Sequence, residues 1–124
     1  MFIDSSREAM EIVKKNARST GFESVCKYLV SDWKNYIRKA SGREHFDLVF
    51  IDPPYAMECC ADAAAYLVEK ELIIPGAIVV LESGEEDINL DDPRLSGYKA
   101  IKSTHYGKKT FVNVLFYEGR EATE

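Results

Sequence analysis

Glycine is scarce in this chain, and its seven glycines are scattered. The sequence therefore holds no GxGxxG fingerprint and no other glycine-rich loop, which speaks against a dinucleotide-dependent dehydrogenase. Cysteine is scarcer still. Cys26, Cys59 and Cys60 form neither a CxxC pair nor a disulfide framework; the adjacent Cys59 and Cys60 read as small helix residues, and a reducing cytoplasm suits all three thiols. No apolar run approaches the length of a membrane span. The opening Met1-Phe2-Ile3-Asp4 lacks the basic segment and apolar core of a signal peptide, so export is not expected. An excess of positive charge is also missing: the formal net charge is −5 at pH 7. That balance argues against strong unaided binding to nucleic acid, although a local cluster such as Lys108-Lys109 could touch phosphate. There is no internal repeat and no low-complexity segment.

What is present suits one globular domain over residues 1–124. The hydrophobic share is 46% and the charged share 30%, ordinary values for a chain long enough to build one core but not two. Phe2–Asp4 reads as the end of a strand. Ser5 offers an N-cap, Glu8 completes a capping box, and Ala9, Ile12, Val13 and Ala17 recur at helical spacing until Gly21 can end the helix. Val25–Val30 reads as the next strand, followed after Ser31-Asp32 by a short helix with Trp33, Tyr36, Ile37 and Ala40 on its inner face. Gly42–His45 is a polar loop. Leu48–Ile51 reads as a strand buried on both faces, and Glu58–Glu71 as an alanine-rich helix. Pro75-Gly76 reads as a turn before the buried strand Ala77–Leu81. Gly84–Gly97 is an acidic surface loop. Tyr98–Ser103 and Thr110–Tyr117 form a hairpin about Gly107, and 118–124 is a polar tail. Repeated strand–helix units predict a parallel sheet with helices on both faces, closed by an antiparallel hairpin near one edge.

The stretch that carries chemistry is Phe46–Tyr55, FDLVFIDPPY. Its strand stops on Asp52-Pro53-Pro54-Tyr55, where two prolines cannot extend the ladder and hold an extended turn. An acid, a rigid carbonyl-bearing turn and an aromatic ring thus come together at the carboxyl end of a strand, where open α/β sheets place ligands. The exocyclic amine of a base is a poor nucleophile because its lone pair is delocalised into the ring. Two acceptors on its N–H groups, the Asp52 carboxylate and the Pro53 carbonyl, would leave that lone pair freer, and Tyr55 could stack on a flipped base. The alternative is a plain strand-to-helix turn in which Asp52 caps a helix and Tyr55 packs. Two further acids stand where a strand gives way to a helix. Asp4 could take ribose hydroxyls or only start its helix; Asp32 could accept from an adenine amino group or only cap its own helix. Trp33 and Tyr36 read first as core residues.

FIDSSREAMEIVKKN, the Asp32 strand end, FDLVFIDPPY, PGAIVVLE and HYGKKTFVNVLFY together resemble the RsmD-like methyltransferases, over essentially the whole chain. DPPY alone is shared with adenine methylases acting on DNA or RNA; the YGKK hairpin and the close motif spacing tilt towards the ribosomal branch. The resemblance implies a Rossmann-like class I methyltransferase sheet and the cofactor S-adenosylmethionine, with no metal. It implies methylation of an exocyclic amine, that of a guanine in ribosomal RNA of the small subunit, naked or assembling. It places Asp4 with Ser5 at the cofactor ribose, Asp32 with Trp33 at its adenine, and Asp52, Pro53, Pro54 and Tyr55 at the target amine. The family pattern begins with a central strand and a glycine-rich loop that this chain lacks, so the chain reads as N-terminally truncated. From that departure follow three expectations: weak or no cofactor binding, self-association through exposed sheet edges or an altered strand arrangement around Leu48–Ile51, and, as the competing function, a non-catalytic fragment that pairs with another chain.

Overall fold

The computed structural model describes residues 1–52, 60–84, 88–107 and 110–119. They fall into two compact units, Met1–Ala40 and Ser41–Glu124.

The first unit runs β1 (Phe2–Asp4), α1 (Arg7–Thr20), a 3-10 turn (Glu23–Val25), β2 (Tyr28–Val30) and α2 (Trp33–Ala40). β1 and β2 pair in parallel, Phe2 with Tyr28 and Asp4 with Val30, and the Phe2 and Tyr28 rings stack at 6.0 Å. α1 starts one residue later than expected. The Asp4 carboxylate accepts the Ser6 N–H at 2.7 Å, a tight turn that moves the cap from Ser5 to Ser6, whose Oγ accepts the Ala9 N–H. The helix ends as expected on Gly21, left-handed at φ 80°. Its inner stripe is Met10, Val13 and Ala17; Ile12, expected inside, is 61% exposed, because it lies roughly 200° round the helix from Met10. β2 is likewise shorter than Val25–Val30. Three-residue β1 offers ladder partners to only three residues, and Val25 stands in the preceding turn, exposed.

The second unit runs β3 (Phe46–Ile51), α3 (Cys60–Glu69), β4 (Ile73–Ser83), β5 (Tyr98–Tyr106) and β6 (Thr110–Tyr117). Its sheet has the order β3-β4-β6-β5. β3 and β4 are parallel, with Leu48 opposite Ile78, Phe50 opposite Val80 and Ile51 opposite Leu81. β6 is antiparallel to both neighbours, so the reversed strand sits next to the edge. β4 is longer than Ala77–Leu81 because it absorbs Pro75-Gly76. The ladder skips from Phe46–Ile73 to Leu48–Ile78, and this bulge accommodates a proline without an N–H and a glycine at φ 100°.

One sheet face forms the core of this unit. Ala77, Val79, Leu81, Leu115 and Tyr117 are buried, as are Ala63, Ala64, Ala65 and Leu67 of α3, which packs on β4. The Tyr98 hydroxyl donates to the Ala64 carbonyl at 2.7 Å. The expected helix end at Glu71 is cut short because Glu71 turns out at φ 60°, and the Leu72 N–H then closes on the Leu67 carbonyl; Glu58, its expected start, lies outside the described residues.

Two expectations are corrected here. β3 is not buried on both faces: Leu48 is 53% and Phe50 71% exposed. Among the described residues β4 is its only sheet partner, since β1 and β2 form a sheet of their own. The stretch Gly84–Gly97 is not wholly a surface loop either. A 3-10 turn, Pro93–Leu95, is capped by Asp92; Arg94 bridges Asp92 and Asp62 at 2.8 Å each; and Leu95 is fully buried.

Leu95→Ala is accordingly expected to destabilise the fold by roughly 2–5 kcal/mol, the range for emptying a buried leucine site. Urea unfolding should show a lowered midpoint with an unchanged slope.

Candidate active site

Two strand ends in the first unit carry acids. Asp4 is the last residue of β1, and its backbone carbonyl accepts the Ser31 N–H at 2.9 Å, tying the end of β1 to the residue after β2. Its Oδ1 holds the Ser6 N–H; a carboxylate has further acceptor sites on its second oxygen. Asp32 is exposed, and its Oδ2 receives the Asn35 N–H at 3.4 Å, a long contact at the limit for a hydrogen bond. The capping roles weighed from the sequence are thus both present, one close and one weak, and neither consumes the carboxylate. Ser5 is exposed and gives up its expected cap to Ser6; Trp33 opens α2, half-buried.

The third acid belongs to the second unit. Asp52 follows β3 directly, at the carboxyl end of a parallel strand. Pro53, Pro54 and Tyr55, the rest of the expected amine-binding set, lie outside the described residues, as do Lys108 and Lys109. With Ile51 opposite Leu81 in the ladder, Asp52 comes level with Glu82. Burial, the Glu82 charge and a hydrogen bond with the Glu82 side chain, in that order, raise the Asp52 carboxyl above the usual carboxylate range. Asp52 is open to solvent as a residue, so its like-charged neighbour is the more telling of these causes. On the other side of Glu82, the Cys60 Sγ donates to its backbone carbonyl at 3.4 Å, linking the start of α3 to β4.

Glu82 was not singled out from the sequence, yet a signal was present. PGAIVVLE ends its apolar run on an acid just as FDLVFID does. A second signal lies in how charge divides. Residues 1–40 carry eight Lys and Arg against five Asp and Glu, whereas residues 41–124 carry eight against sixteen. The overall acidity hides a basic first unit. Among the described residues no helix is long and apolar enough to cross a membrane.

Comparison with known proteins agrees with this architecture. The family model described as "Conserved hypothetical protein 95" matches residues 1–115. A curated relative, ribosomal RNA small subunit methyltransferase D of Haemophilus influenzae, is 25% identical over 93 residues, which are 74% of this chain and 48% of that protein. The chain thus spans about half the length of the curated relative it matches. Among solved structures, a conserved hypothetical protein of Streptococcus pyogenes is 27% identical with a TM-score of 0.80, covering 96% of this chain and 71% of that one. HI0767 of Haemophilus influenzae, solved under the description of a methylase, is 18% identical with a TM-score of 0.77, covering 95% and 71%; at that identity the likeness is one of fold.

A raised carboxyl has a definite consequence for stability. The fold favours protonated Asp52, so this group's stabilising contribution is complete below its ordinary pKa and is lost as pH climbs through the raised folded value. Asp52→Asn should therefore melt above the wild type at pH above the raised folded value of Asp52, and the difference should vanish at pH below its ordinary value. Thermal unfolding across pH reads both.

Proposed function

Starting from the fact that the chain belongs to the conserved hypothetical protein 95 family, the RsmD-like family, we propose that it takes part in S-adenosylmethionine-dependent methylation of an exocyclic amino group of a nucleic-acid base, a guanine in small-subunit ribosomal RNA. The observation that carries this reading is the placement of Asp52 at the carboxyl end of parallel β3, in a chain whose curated relative is named as a methyltransferase of small-subunit ribosomal RNA. The work is cytoplasmic, where that RNA is made and assembled.

The first unit fits the cofactor. Asp4 and Asp32 stand at the carboxyl ends of adjacent parallel strands, and each carboxylate keeps acceptor capacity beyond its backbone contact. Asp4, with Ser5, would hold the ribose hydroxyls; Asp32, with Trp33, would hold the adenine. When bound there, S-adenosylmethionine would supply the methyl group. The chain's own residues position the nucleophile. The Asp52 carboxylate would accept one N–H of the target amine; Pro53, Pro54 and Tyr55, which complete the expected amine-binding set, lie outside the described residues. Positioning the nucleophile is a large source of rate in such a transfer. The basic first unit supplies favourable charge for an RNA backbone that the acidic second unit would repel.

The test separates the two acids. At saturating cofactor, Asp52→Ala should lower methyl transfer to small-subunit ribosomal RNA by about a hundredfold or more, with cofactor affinity nearly intact. Asp4→Ala should do the reverse, weakening cofactor binding in a calorimetric titration. Unchanged turnover in the Asp52 variant would remove its role at the amine.

The outer edge of β3 favours a second reading, a module that pairs with another chain. Among the described residues no strand is hydrogen-bonded to this edge, and the strand leaves Leu48 and Phe50 exposed. Unpaired, apolar edges recruit strands. Light scattering over a concentration series should then show association, together with slowed amide exchange in residues 48–51. A strict monomer at all concentrations would defeat this reading and leave the enzymatic one standing.

A further inference from the structure

The carboxyl groups at the ends of β3 and β4 come level with each other across the parallel ladder. Successive side chains of a strand alternate between faces. Since Leu81 is buried on the α3 side, Val80 and Glu82 point to the other face. Parallel register brings Phe50 beside Val80 and Asp52 beside Glu82 on that face. Across β4, the residue opposite Glu82 is Val112 of β6, which brings no charge. β5 sets Thr104 opposite Val112, again uncharged; its Lys102 pairs with Val114, level with Val80 rather than with the acids. Among the described residues, the one charged group acting on Asp52 is Glu82, through both its charge and a side-chain hydrogen bond.

We infer that Glu82 is a positioning residue that makes Asp52 the proton acceptor of the methyl transfer, the two carboxylates holding the transferred proton between them. The inference rests on the reading that Asp52 faces the target amine. An amine nitrogen that gains a methyl group must shed a proton. With both carboxylates ionised, the pair sets two negative charges level with each other across the ladder, and taking up one proton relieves their repulsion. The nitrogen's N–H bond breaks with its electron pair left on nitrogen, and the proton bonds to an Asp52 oxygen. The Glu82 carboxylate accepts a hydrogen bond from that new O–H. Release to water then restores the doubly ionised pair. Glu82 touches neither substrate nor cofactor in this scheme; it acts through Asp52.

The closing experiment follows the carboxyl carbons of the full 124-residue chain by NMR as pH is varied, in the wild type, Glu82→Gln and Glu82→Asp. In the wild type, Asp52 should titrate above the ordinary carboxylate range. Glu82→Gln should lower the Asp52 titration towards that range, with burial keeping part of the rise, and Glu82→Asp should recover part of what is lost; a purely structural role for Glu82 would move neither. An Asp52 within the ordinary range in the wild type, or an Asp52 titration unmoved by Glu82→Gln, overturns the inference. Methyl transfer from radiolabelled S-adenosylmethionine to small-subunit ribosomal RNA gives the second readout. The acidic limb of its pH profile should shift to lower pH in Glu82→Gln, and a limb that stays in place while the Asp52 titration moves also overturns the inference. A wild-type chain that transfers no methyl group counts against the proposed function instead, and is told apart from failure of the shared proton by the titration.

Discussion

The parallel pairing of β3 with β4 is the constraint on which the second unit depends. β4 must keep Ala77, Val79 and Leu81 against α3, because those residues and the alanines facing them make the core. Once that face is fixed, alternation leaves Ile78, Val80 and Glu82 no other side. The ladder from Leu48–Ile78 to Ile51–Leu81 then fixes β3 in turn. A slip of one residue would exchange the faces of the strand, carrying Asp52 away from Glu82. The burial of three aliphatic side chains therefore determines the register that brings two carboxylates level, one residue beyond the core's Leu81.

Most of this frame was legible before any coordinates, and the misses have physical causes. FDLVFID, VVLE and the Gly107 hairpin are strands with strong β-branched and aromatic content, and all three appear where their residues place them. The boundaries that moved are those decided by a partner rather than by local preference. β2 stops at the length of β1, and β4 grows through Pro75-Gly76 because a bulge against β3 accepts both residues. The cap of α1 moved from Ser5 to Ser6 because Asp4 competes for the first turn. β3 reads as doubly buried from its apolar run, yet a run of that kind reports what the strand can bury, not what stands beside it. Leu95 was missed because one leucine among acids has no periodicity to announce it; only the capped turn and the Arg94 bridges show why it is pinned inward.

The acids of the candidate site were legible in a different way. Asp4, Asp32 and Asp52 each follow an apolar strand, and strand ends are where α/β sheets hold ligands. Glu82 obeys the same rule and was overlooked because no helix start follows it to draw attention. Net charge misled for a related reason. A sum over the whole chain averages a basic unit with an acidic one, whereas a polyanion approaching at physiological salt responds to charge within roughly 8 Å.

The second unit contains two kinds of charged contact, and their difference bears on function. Arg94 with Asp62 and Asp92 sets opposite charges together beside a buried leucine; the guanidinium lowers the Asp92 carboxyl, and the arrangement favours the fold. Asp52 with Glu82 sets like charges together, and the fold is weaker for it at neutral pH. Val80 and Phe50, one turn of the pleat below, show that apolar residues are at home on this face. Replacing either acid by such a residue would extend the same stripe and remove the repulsion. A like-charge pair that opposes folding at the carboxyl end of a parallel strand pair is the kind of feature that clusters at functional sites.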